Sequence, residues 1–325
     1  MSDKQINKDR YRILCNERTD IPLFMQSWWM DAVCNFRNWD VFIYDRDNKI
    51  LGVLVYHFVK KLGFKIIVQP QLTQFNGIWV NNSNNLSKNE KLRFEKEVMT
   101  HLINQLEELN FSYYDQNFHH SITNWLPFFW KKFEQTTRYT YQILNISKPD
   151  VCFKQFRASK KAHINKAKET INISLETSGE EFYKHLKQNL NTLGRKVHYS
   201  EELFLRIFKE CKSRNQGCII SAIDKQENLH AALFIVWDEN CAYNLISTIN
   251  PNFRASGASS LVVWEAIKQM STKSDIFDFE GSMNKNIEES FREFGSIQVP
   301  YFRIKKFNSL CFKILLHSRK WLYSK

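Results

Sequence analysis

The sequence predicts an α/β (α+β) protein built from two mixed sheet-and-helix domains in tandem. Three observations carry this. The order β-hairpin, strand, helix, strand occurs in both halves of the chain, at roughly 40–115 and roughly 218–280. A length of 325 residues allows two domains, each able to bury its own core. With 43% hydrophobic and 14% aromatic residues but only 9 Gly and 6 Pro, the chain has material for cores and little for linkers. The boundary is expected near Pro149, giving domains 1–150 and 151–325.

Taken in order, residues 11–35 open on a strand candidate and continue into a helix carrying Trp28, Trp29 and Val33, capped by Ser27. Asp40–Asp45 and Ile50–Val59 are β-rich runs separated by Arg46–Lys49, a hairpin. Phe64–Val68 and Gly77–Val80 read as strands flanking the loop 70–77. A helix from about Lys88 to Leu109 places Leu92, Val98, Leu102 and Leu106 on one side, and Phe111–Asp115 reads as a strand. The stretch Cys152–Lys168 holds six basic residues and no acidic one. As one helix it sets Lys154, Arg157, Lys161 and Lys168 near one face, either solvated or a phosphate-binding ridge. In the second half Cys218–Asp224 and Leu229–Trp237 form a hairpin, followed by the strand Cys241–Ile249. A helix with apolar positions 261, 264, 267 and 270 comes next, then the strand Ile276–Glu280, which ends in Gly281–Ser282. The tail 307–325 gathers Phe307, Leu310, Ile314 and Trp321 on one face and supplies Lys313, Arg319, Lys320 and Lys325. It either docks on the body or lies on an anionic membrane.

The formal charge is +12, unevenly placed. Lys and Arg stand against Asp and Glu as 19 to 16 in residues 1–150 and as 27 to 18 in 151–325. The second half is thus expected to face an anionic partner: a nucleotide-linked carrier, a tRNA or a membrane surface. Seven Cys without a Cys-x-x-Cys pattern indicate reduced thiols and no zinc site. No segment suits a signal peptide or a membrane span, so a cytoplasmic protein is expected, at most peripheral at the inner membrane face. No Gly-x-Ser-x-Gly or Cys/His signature marks a covalent nucleophile.

The stretch that organises the chemistry is Ile249–Leu261, a small-residue loop between a strand and a helix. Such a loop turns backbone N–H groups outward at a helix N-terminus, where an anion is favoured. Small side chains from Ala255 through Ser256, Gly257, Ala258 and Ser259 to Ser260 would admit the anion, and Arg254 would add charge. The competing reading is an ordinary cap and turn, with Ser256 or Ser259 capping.

The Arg-x-x-Gly-x-small pattern of Arg254–Ser259 resembles the acyl-CoA loop of the GNAT acyltransferase superfamily. The run Asn250–Arg303, with Asp278–Ser282, Ser290–Gly295 and Val299–Arg303, resembles the FemAB-like branch, whose best known members add amino acids to peptidoglycan precursors. The resemblance implies two GNAT-like domains, the first degenerate and shaping an acceptor groove, the second holding acyl-CoA or acetyl-CoA, or alternatively aminoacyl-tRNA, and no metal. Only the second is expected to bind the donor, because the first has Asn81–Ser87, without Gly or Arg, at the matching place. The resemblance also implies an oxyanion donor near Thr248 and Ile249, and pyrophosphate contacts at Arg254 and the amides of 255–260. Ser259 departs from the strict loop, which leaves acyl-CoA and aminoacyl-tRNA both open. Glu280 is the first candidate for the base that takes the amine proton, with His198 second. Arg195, Tyr199, Asp278, Arg292 and Tyr301 are acceptor-site candidates. The implied reaction moves an acyl or aminoacyl group to an amine of a cell-envelope precursor; alternatives are an acyl-CoA N-acyltransferase acting on an amino sugar, peptide or lipid amine, and a non-catalytic basic module for RNA or membrane.

Overall fold

A computed structural model describes residues 3–81 and 86–323. It divides into two compact units, Met1–Arg138 with Pro300–Lys325, and Tyr139–Val299. The first division therefore falls at 138/139, with Pro149 at the start of a helix, and the chain re-enters the first unit at Pro300.

The first unit begins with α1 (Asp3–Glu17) and α2 (Ser27–Val33). Residue 11 onward is thus helical where a strand was expected. Tyr11, Leu14 and Cys15 are its buried positions, at helical spacing, and the Tyr11 hydroxyl donates to Met25 O at 2.6 Å. Next come β1 (Trp39–Arg46), β2 (Lys49–Lys61), β3 (Phe64–Val68) and β4 (Gly77–Val80). They lead to α3 (Lys88–Glu108), β5 (Tyr113–Asn117) and α4 (Leu126–Trp130). β2 pairs antiparallel with β1, and also with β4 through Gly52–Val55 and with β3 through His57–Lys61. β3 and β4 are thus two halves of one strand position, separated by the loop 69–76. β3 then runs parallel to β5, with α3 as the crossover. Leu54, Tyr56, Ile67, Val98, Leu102 and Tyr114 centre the core, while Leu92, read as part of the buried side, is exposed near the start of α3.

The chain enters the second unit within β6 (Glu134–Leu144). There follow α5 (Pro149–Gln155), α6 (Ala158–Lys168), β7 (Ile171–Ser174), α7 (Gly179–Thr192) and α8 (Glu201–Ser213). The stretch read as one basic helix is therefore two, broken at Phe156, whose backbone is extended (φ −63°, ψ 141°) and whose side chain is buried. β8 (Gly217–Asp224), β9 (Leu229–Trp237), β10 (Cys241–Ile249), α9 (Ala258–Met270) and β11 (Ile276–Asp278) complete the unit's strand-helix-strand core. β7, β8, β9 and β10 are antiparallel neighbours in that order, and β10 runs parallel to β11. β11 is antiparallel to β6. α10 (Lys285–Arg292) and β12 (Ile297–Phe307) follow, and β12 carries the chain back to the first unit, where it pairs with β5. Each unit thus receives its final strand from the segment that follows the other unit's parallel pair. α11 (Leu310–Tyr323) ends the description. Of the positions named in the tail, the side chains of Arg319, Lys320 and Trp321, and all of Lys325, lie outside the described residues, as does most of the Asn81–Ser87 loop.

Candidate active site

β10 is hydrogen-bonded to β9 from Ala242 to Ile249, but to β11 only through Cys241, Ala242 and Tyr243. Beyond Tyr243 the two parallel strands part, because β11 stops at Asp278. Leu245 is an extra residue: Asn244 pairs with Ile235 and Ile246 with Phe234, leaving a bulge between them. Ser247 Oγ donates to Asn244 Oδ1 across it (2.7 Å). On the side away from β9, the backbone of 244–249 therefore has no strand partner, which leaves donors for something other than a sheet.

That open edge walls a cavity of about 120 Å³. Its floor and sides are apolar, with Leu233, Val262, Val263, Phe279, Phe291 and Phe294; its polar lining is Lys160, Asn244, Ser247, Thr248, Ser259, Ser260 and Ser290. Thr248 is buried, and Asn189 of α7 donates to its Oγ1 at 2.9 Å. Ile249 is at the rim, 41% exposed. The first turn of α9 points at this space. Its N-cap is Gly257 in a left-handed conformation (φ 79°), with no side-chain cap and no acidic residue in the first turn. Ser256 Oγ accepts from Ala258 N–H at 3.3 Å, and the Ser260 and Leu261 amides bond back to Gly257 O.

Gly257 is required for a reason other than ligand approach. A Cβ there would lie 2.3 Å from the carbonyl oxygen of His163, so α6 packs backbone to backbone against the loop. At this position the small residue also admits a helix. Arg254 and Ala255 are exposed on the loop's outer side.

The close approach of α6 delivers Lys160, which the sequence reading missed. It is 8% exposed; its Nζ donates to Ser290 Oγ (2.9 Å), lies 3.6 Å from Glu293 Oε2 and sits over the Phe294 ring (4.8 Å). Burial lowers its pKa, an effect the Glu293 carboxylate opposes. An ammonium beside an uncapped helix N-terminus makes a place for negative charge or for a polarised carbonyl.

Glu280 follows Phe279 of the cavity wall. It does not continue the strand: its φ is +56°, and the turn takes it out of the alternation that would have paired it with Asp278. The side chain is half-buried, and its Oε1 is shut off from solvent with no hydrogen-bond partner. Burial, and secondarily the Asp278 charge, raise its pKa well above that of an ordinary glutamate. Tyr199 is close enough for Glu280 to contribute to the upward shift of its phenol, after burial and Tyr183. Asp278 itself is wholly buried, accepting from Thr140 Oγ1, from Gln142 Nε2 (2.8 Å) and from the Glu280 amide (2.6 Å). It is a brace for the Glu280 turn and not the acceptor-facing carboxylate that the strand pattern suggested.

The remaining candidates are dispersed. Arg195 and His198 are exposed in the turn between α7 and α8, beside half-buried Tyr199. Arg292 is exposed and paired with Glu288 (3.1 Å). Tyr301 belongs to the first unit, where it packs edge-on against Phe75 at 5.2 Å. Among the described residues no group of three or more His, Cys, Asp or Glu is placed to hold a metal, and no helix is long and apolar enough to cross a membrane.

Residues 154–282 match the family described as Acetyltransferase (GNAT) domain. A search of curated proteins by sequence gives no match. Among solved structures, FemX aligns with a TM-score of 0.67 at 10% identity, covering 93% of this chain and 96% of FemX. L-PGS from Bacillus licheniformis gives 0.55 at 11% identity, covering 96% of each chain. A tandem GNAT protein from the clavulanic acid biosynthesis pathway gives 0.55 at 7% identity, covering 94% of this chain and 96% of that one. At such identities the likeness is one of fold. Residues 154–282 thus match the GNAT domain family, and the chain as a whole has the fold of these tandem GNAT-like structures.

Proposed function

We propose that the second unit transfers a short acyl or aminoacyl group from a phosphorylated carrier to an amine. The observation that carries the reading is the open edge of β10 past Tyr243, facing the uncapped start of α9 with Lys160 between them. Donors on the open edge suit the oxyanion that forms when a nitrogen attacks the acyl carbonyl. The acceptor ammonium must first lose a proton, and Glu280 is the group suited to take it when ionised: the burial that favours its neutral form makes the carboxylate a stronger proton acceptor, and activity should rise with pH as it ionises. The new C–N bond forms, the bond to the carrier breaks, and the carrier's thiol or hydroxyl leaves with a proton. The cavity, about 120 Å³, has room for an acetyl or small aminoacyl group.

The carrier is acyl-CoA or aminoacyl-tRNA, and the exposed Arg254 would meet its phosphates in either case. The acceptor is an amine of a cell-envelope precursor, an amino sugar, a peptide or a lipid. Thermal stabilisation by acetyl-CoA, longer acyl-CoAs and charged tRNA tests the reading. Stabilisation by one carrier class, reduced by Arg254→Glu and by Lys160→Met, is expected. RNA binding with no carrier preference and no acyl transfer would favour a non-catalytic module instead.

A further inference from the structure

We propose that the first unit carries a docking surface for an anionic phospholipid membrane, made of the β2–β3 hairpin tip and the outer ridge of α11, with an apolar slot beside them that takes a lipid acyl chain. The hairpin register closes Lys61 on Phe64, so the turn is Leu62–Gly63, with φ 51° and 78°. Positive φ at both positions is the setting in which Asn-Gly or Asp-Gly is favoured. A leucine there is strained and stays 68% exposed, with only part of its side chain against the protein. A leucine at such a position is explained if it is buried by something else.

α11 supplies the second observation. It docks through Phe312, whose ring lies 5.1 Å from that of Phe64 and 5.6 Å from that of Tyr113. This turns Leu310 and Ile314, one helical turn apart, away from the body, at 71% and 61% exposure. Docking and membrane contact, alternatives for this tail in the sequence, are here two faces of one helix. Between the tip and the helix lies a slot of about 290 Å³ lined by Leu62, Ile66, Val68, Tyr113, Phe312 and Leu316, with Lys61 at its edge.

Charge selects the occupant. Lys60, Lys61 and Lys313 are exposed around these leucines, and neither 60–68 nor 310–323 contains an acidic residue. Such a surface repels a second copy of itself and attracts an anionic bilayer, whose chains accept the leucines.

The test is flotation of the full chain with vesicles of mixed phosphatidylglycerol and phosphatidylcholine against phosphatidylcholine alone. Preferential binding to the anionic vesicles is expected. Leu62→Asn, which suits the turn and should melt at or above the parent's temperature, is expected to weaken it about tenfold, with Ile314→Lys similar. Reversing Lys60 and Lys61 to Glu should reduce it at least about tenfold. Glu280→Gln should leave vesicle binding unchanged, so failure here and failure of the catalytic reading are separable. Equal binding to both vesicle types, unaltered binding by Leu62→Asn and Ile314→Lys, or a dimer in light scattering that Leu62→Asn dissociates would each overturn the proposal.

Discussion

The two units share a plan, yet they begin their crossover helices in opposite ways. In the first, α3 is closed by its own side chains: Ser87 Oγ accepts from the Glu90 amide (3.4 Å) and Glu90 returns a bond to the Ser87 amide (2.9 Å), placing an acid on the helix dipole. In the second, α9 starts at a glycine with no side-chain cap, no acid and a buried lysine nearby. The strands before the helices differ in the same sense. Between β3 and β4 the first unit inserts residues 69–76, which are stitched down by bonds from the Gln69 amide to Asp115 O (3.1 Å) and from the Asn76 amide to Asn117 O (2.8 Å). In the second unit β10 runs on unbroken and parts from β11. The first unit closes its helix start with an acid and a capping box; the second leaves its helix start without either, although Ser256 Oγ accepts from the Ala258 amide and the Ser260 amide bonds to Gly257 O. This difference supports placing donor binding in the second unit alone.

The sharpest way to break the comparison is Glu280→Gln. It should lower kcat/KM by about 10²–10⁴ while leaving carrier stabilisation intact. It should also raise the melting temperature at pH 8. The carboxyl's pKa is raised on folding above its usual 4.5, so the native state holds a proton that the unfolded chain has released, and stability falls as pH rises through that interval. The variant and the parent should melt alike near pH 4 and diverge above it, by about 2–4 °C for each kcal/mol recovered. Equal melting at all pH values would show that the Glu280 environment is not as described.

Gly257→Val should destabilise the chain by about 3 kcal/mol or more, since it forces both a left-handed φ and a clash with His163. Gly63→Ala, at a similar φ of 78° in open space, should cost about 1 kcal/mol. Denaturant melts of the pair separate packing from backbone strain.

Ser259→Asp sharpens the contrast directly, because it gives α9 the acid that α3 already has. It should stabilise the helix start by about 0.5 kcal/mol and weaken carrier binding about tenfold, read as a stability gain with a lost ligand shift. The smallest effect is expected from Ser87→Ala, a loss of about 1 kcal/mol with no change in carrier binding.

Much of the second unit was legible in the sequence because its strands are buried, uninterrupted and bounded by turns: β8, β9, β10 and α9 fall where their patterns put them. α1 was misread because only Tyr11, Leu14 and Cys15 are buried, too narrow a stripe to outweigh the β-prone residues around it. Lys160 was invisible for another reason. Nothing distinguishes it from five other cations in the same run until the break at Phe156 and the contact with Gly257 decide which one points inward. Asp278 and Glu280 alternate on paper, and only the positive φ at Glu280 separates a brace from a candidate base.

The exchange of final strands bears on how the chain is made. β12, which completes the first unit beside β5, is synthesised only after all of residues 139–299. At ordinary translation speeds the edge of β5 waits roughly 8–30 s for its neighbour, exposed on the ribosome while the second unit forms. The amino-terminal unit, begun first, is therefore finished last, and no single cut in the chain separates the two units.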